Sequence, residues 1–77
     1  MGSYEDLSTE HLCNALDMGN KVNMIDSCEE IMDVLRARHP EVQEALMQWA
    51  ETGKGPGGDT DHIEVALKAC RAVVEDR

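Results

Sequence analysis

From Ile63 to Glu75 the chain carries apolar side chains around most of a helix's circumference, and this one segment limits the folds open to it. At about 100° per residue, Ile63, Ala66, Leu67, Cys70, Val73 and Val74 fall on one wide face. Val65, Ala69 and Ala72 form a second apolar strip beside it, and Glu64, Lys68, Arg71 and Glu75 share one narrow polar wedge. A helix of that kind is enclosed on several sides. Either the rest of the chain wraps it as the central helix of a monomer, or a second copy covers it. The second case puts Val65, Ala69, Ala72 and Val73 at the seam of a homodimer.

The remaining pattern is also helical. Leu7, Ser8 and Leu12 have the spacing of a hydrophobic staple around an N-cap, and Gly19 is placed to stop the helix that follows. Met24, Ile25, Cys28, Ile31, Met32 and Leu35 keep a helical period, with two competing starts. Ser27 with Glu30 makes a capping box, whereas Asn20 or Asn23 would cap a longer helix, and the longer one is favoured. Pro40 biases His39 away from helical backbone and suits the first position of the next helix. There Val42, Ala45, Leu46 and Trp49 share one face, with Trp49 expected as a core anchor and Met47 off that face and exposed. Residues 52–60 hold four glycines and a proline, which read as a flexible loop. No segment alternates convincingly with period two. The expected fold is therefore all-α, one domain over residues 1–77, with four helices near 9–18, 21–38, 40–52 and 61–75 and a Gly-rich loop at 53–59. Leu, Ile, Val and Phe supply only 15 of the 77 residues, so the core is thin and the domain leans on a partner or on dimerisation.

Charge narrows the function. The net charge is −9, and residues 1–33 carry eight acids against Lys21 alone, net −7, while residues 34–77 are net −2. Such a balance repels phosphate backbones and anionic membranes, so direct binding to nucleic acid or membrane is not expected. A basic protein, itself a nucleic-acid binder, is the natural complement. Glu5, Asp6, Glu10, Asp17, Glu29, Glu30 and Asp33 are the expected partner-binding residues. The competing reading of these acids is a solvated surface that keeps a small protein in solution.

The motifs point away from chemistry. Residues 53–58 match G-x-G-x-x-G literally, but a dinucleotide fingerprint follows a strand and opens a helix, and here a helix precedes it. Asp59, Asp61 and His62 lack the further oxygen ligands of a calcium loop, and acids at a helix start are expected from the dipole alone. His11, Cys13, Cys28 and Cys70 have zinc-ligand atoms without zinc-ligand spacing. Three cysteines, an odd number with no C-x-x-C, imply no disulfide framework. No secretion signal or apolar span occurs, and the start from Met1 fails the myristoylation pattern at Asp6, so cytoplasmic localisation is expected. No catalytic group, metal or cofactor is expected.

Asp26-Ser27 near a helix start, in a short acidic helical chain, resembles acyl and peptidyl carrier proteins, whose Ser bears a phosphopantetheine arm. The resemblance covers size, charge and two residues, it implies Ser27 as the attachment point, and Cys28 stands where that family has Leu. A helix-turn-helix DNA-binding regulator is a further alternative from the lengths of the first two helices. A structural homo-oligomer subunit is another. The leading expectation is a small regulator or inhibitor that binds a basic protein through its acidic N-terminal half.

Overall fold

In the computed structural model, which describes residues 3–76, a 3₁₀ turn (Ser3–Asp6) precedes four helices, α1 (Thr9–Lys21), α2 (Ile25–Arg38), α3 (Pro40–Thr52) and α4 (His62–Glu75). Met1, Gly2 and Arg77 lie outside the described residues, among them the beginning of the start motif read above. The fold is all-α, and no strand occurs among the described residues.

Local chemistry sets each boundary. Ser8 caps α1 by accepting from the His11 amide at 3.2 Å, and Leu7 packs on the core as the staple requires. Gly19 does not end this helix. The stop comes from Asn23, whose φ of 61° turns the chain left-handed. The Met24 amide then donates to Gly19 O at 2.8 Å and the Asn23 amide to Asn20 O at 3.4 Å, the two bonds of a Schellman turn. Gly19 is instead buried where α2 crosses α1, and a Cβ there would lie 2.9 Å from Cys28 Sγ.

Residues 22–24 make the connection, so α2 starts neither near Asn20 nor at Ser27, but at Ile25 with Met24 as an N-cap that makes no side-chain bond. Ser27 is half-buried in the first turn, and the capping box with Glu30 is not used. His39 is extended (φ −129°, ψ 110°), ends α2 and begins α3, with Pro40 at the first helical position. Gly53 closes α3 in the left-handed conformation at φ 82°. Asp61 caps α4 by accepting from the Ile63 amide at 3.1 Å.

The helices form a ring in chain order, α1 against α2, α2 against α3, α3 against α4 and α4 against α1, with α2 and α4 also touching across the middle. The radius of gyration is 11.4 Å, against about 11.5 Å for a compact chain of this length. Leu12 and Leu16 of α1, Ile31 and Leu35 of α2, Val42 of α3 and Ala66 and Cys70 of α4 meet in the core. Helix α4 is thus wrapped by its own chain, which covers Val65 to 3% exposure. Part of that cover is the Gly-rich loop. Its Gly55 amide donates to Asp59 O and its Gly58 amide to Gly55 O, at 2.8 and 2.9 Å, which folds buried Gly55 down onto Val65. The expected flexible loop is a built turn.

The N-terminal turn is held from the end of α2, where Arg38 donates to the carbonyl oxygens of Glu5 and Leu7. Thr9, buried at the start of α1, is hydrogen-bonded through Oγ1 to His39 Nε2 at 2.8 Å. No helix of the described residues is long and apolar enough to cross a membrane.

Candidate protein-interaction surface

The exposed large apolar side chains fall in two places. Met18, Val22, Met24 and Ile25 stand out at the corner between α1 and α2, so the apolar period read from Met24 to Leu35 is buried only from Cys28 onward. The Schellman turn swings them outward with the chain. The second place is a cleft of about 370 Å³ between α2 and α3. Its α2 wall is Glu29, Met32, Asp33 and Arg36, its α3 wall is Leu46, Met47, Trp49 and Ala50, and His62 of α4 closes one end.

Trp49 is half-buried here and stands outside the core cluster, so it is not the core anchor its face suggested. Its indole Nε1 donates to Thr60 O at 2.6 Å, and its ring meets His62 at 5.1 Å between centroids with a 32° tilt. Those two contacts fix the ring as a wall of the cleft. Met47 is 51% exposed, as its position off the main face predicts. Arg36 is engaged at the far end, donating from Nε to Gln43 Oε1 at 2.6 Å and pairing with Asp33 at 3.6 Å.

The seven acids expected to bind a partner do not form one surface. Glu29 and Asp33 line the α2–α3 cleft, and Asp33 also joins Glu5 in a neighbouring depression with Val34, Ala37 and Arg38. Glu30 and Asp6 are exposed. Glu10 lies elsewhere, in a depression between α1 and α4 with Arg71 and Glu75. Asp17 is half-buried and pairs with Lys21 at 3.4 Å and Arg71 at 3.2 Å, so its charge is largely used inside the molecule. Of the residues expected at a dimer seam, Val65 is turned into the chain's own packing, Ala69 and Val73 are half-buried and Ala72 is exposed.

The groups weighed for metal binding have other work. Asp61 is a helix cap, and Asp59 pairs with Lys68 at 2.8 Å, a contact that holds the Lys68 ammonium above its ordinary range. Among the described residues no group of three or more His, Cys, Asp or Glu side chains converges as a metal ligand set.

All three cysteines are free and buried. Cys28 Sγ donates to Leu16 O and Cys70 Sγ to Thr9 O, each at 3.8 Å. Burial pushes the Cys28 thiol up, with Asp61's negative charge adding to the effect. Burial likewise pushes Cys70 from 9.0 to about 12, helped by Cys13 and opposed by Arg71. Thiolate is the reactive form, so a disulfide reagent is expected to label the native protein slowly at about pH 8 and all three sites at once in denaturant. The folded state holds the Cys28 and Cys70 thiol protons more tightly than the unfolded chain does. The contribution of Cys70 to stability is therefore complete below pH 9.0 and lost as pH rises toward about 12. Urea melts at about pH 8 and about pH 10 check this, with a loss of up to about 1.4 kcal/mol per pH unit above 9.0 from Cys70. An equal loss in Cys70→Ala would assign it to another group.

Comparison of the chain with protein-family models, with curated proteins and with solved structures finds no match.

Proposed function

We propose that the chain is a small acidic interaction module, a regulator or inhibitor that binds a basic, nucleic-acid-binding protein and blocks its site by contact rather than by chemistry. The observation that carries this reading is how the charges are spent. Among the described residues, Lys21, Arg36, Lys68 and Arg71 are each paired with an aspartate, and Arg38 is given to backbone carbonyls. Glu5, Asp6, Glu10, Asp26, Glu29 and Glu30 are exposed and make no ion pair among the same residues. Of the described lysines and arginines only Lys54 is exposed without such a partner, while these anions face outward, a surface that steers a basic partner toward it.

The same accounting weighs against a DNA reader on α2, whose outer side carries Glu29, Glu30 and Asp33 and whose two arginines are occupied. Three buried free thiols fit a reducing, cytoplasmic setting. A homodimer through Ala69, Ala72 and Val73 is part of this proposal, because these residues line a furrow with Ala45 and Pro56 into which a helix of small residues fits.

The test is capture from source-cell lysate, washed at about 0.15 M and about 0.5 M salt. The triple variant E29K, E30K, D33K is expected to retain the basic partner at least about tenfold less well, with helicity unchanged. Equal retention by variant and parent sinks the proposal.

A further inference from the structure

We propose that the α2–α3 cleft is the seat of one partner element, an amphipathic basic helix whose apolar face packs on Leu46, Met47 and Trp49 and whose cations lie along α2. This rests on the acidic-module reading and specifies where that module binds.

The cleft has the two surfaces such a helix needs, set at helical spacing. On α2, Asp26, Glu29, Glu30 and Asp33 occupy positions i, i+3, i+4 and i+7, and all four are exposed. They form an acidic stripe about 10 Å long, two turns of helix, whose Glu29 and Asp33 line the cleft and whose Asp26 and Glu30 stand beside them on the open side. On α3, Met47 presents half its surface beside Trp49 and Leu46. A methionine pair, Met32 in the floor and Met47 at the edge, lets the seat adapt to different apolar side chains. Trp49 is held by Thr60 O and His62 before any partner arrives, so its ring loses little freedom on binding.

Charge sign selects the occupant. A neutral apolar helix would leave the stripe unpaired and an acidic one would be repelled, whereas cations spaced over two turns meet the stripe from Asp26 to Asp33. Arg36 bounds the stripe at its far end, already paired with Asp33 and bonded to Gln43, so the partner's basic stretch ends before it. The recognition mode is helix-in-groove, with apolar anchors for affinity and charges for choice.

Trp49 is the only tryptophan, which makes its fluorescence a reporter of this cleft. The probe is a synthetic peptide of about 18 residues, long enough to form a helix, built from Leu and Lys with Leu at i, i+3, i+4 and i+7. Its controls are a scrambled peptide of the same composition and polylysine. The amphipathic peptide is expected to shift Trp49 emission saturably at one peptide per chain, and the scrambled peptide to bind at least about tenfold more weakly.

Met47→Glu is the deciding variant. It adds a negative charge while spoiling the apolar seat, and its exposed position leaves the fold intact. The proposal requires at least about tenfold weaker binding by this variant. Equal or tighter binding, or calorimetric binding without a change in Trp49 emission, overturns the cleft and leaves the acidic-module reading standing. Failure of polylysine as well as of both peptides overturns both.

Discussion

Leu35→Ala is expected to cost about 3 kcal/mol of stability and to lower Tm by roughly 10–25 °C. Leu35 has no exposed surface and lies on the helix that touches all three others and the N-terminal turn. Its truncation opens a cavity in the core cluster shared by all four helices, and cores relax only partly. The loss is large against the whole, because 77 residues at about 0.05–0.15 kcal/mol each give about 4–12 kcal/mol. Thermal and urea melts followed by circular dichroism read the effect. Val22→Ala, at 56% exposure, is the control and is expected to change stability by less than about 0.5 kcal/mol. A Leu35 variant as stable as the control would mean that the core lies elsewhere.

The second large effect comes from adding a single methyl group. A Cβ on Gly55 would sit 2.5 Å from Cγ2 and 2.8 Å from Cγ1 of Val65. Neither methyl can give way, since Val65 is 3% exposed and a β-branched side chain on a helix has essentially one rotamer. Gly55→Ala is expected to cost about 1–3 kcal/mol through overpacking, and it lifts the loop off α4. Val65→Ala alone removes two buried methyls, about 1.6 kcal/mol. The double variant restores the space, so it is expected to be at least about 1 kcal/mol more stable than the two single effects added together. Strict additivity would mean that the loop does not pack on Val65.

The helix pattern was legible wherever local chemistry decides. Pro40 and Gly53 bound α3 as their backbone preferences require, and Ser8 with Leu7 and Leu12 starts α1 as the staple requires. Gly19 was misread because glycine has two uses. A stop needs its freedom at positive φ, a helix crossing needs its lack of a side chain, and only the position of Cys28 in space tells them apart. Gly55 escaped notice for the same reason, since its value depends on Val65, ten residues away and on another element.

The candidate site was half legible. The acids of α2 and the off-face position of Met47 are visible along the chain. That they face each other depends on which sides of α2 and α3 pair, and the periodicity of either helix alone does not carry that information. Trp49 shows the limit most plainly. Its spacing with Val42, Ala45 and Leu46 puts it on the inner face, but it sits in the last turn of α3, where the bundle has run out of neighbours and its ring closes against Thr60 and His62 instead.

The grip of Arg38 on the N-terminal turn ends in two main-chain oxygens, neither of which takes up a proton in mild acid. Acidification that strips the surface of its anions therefore leaves this tie intact. Near the isoelectric point of about 4.5 the folded molecule loses the mutual repulsion that keeps copies apart while this tie still holds. Folded molecules are therefore expected to flocculate near that pH and to redisperse on return to neutral, which light scattering beside circular dichroism checks.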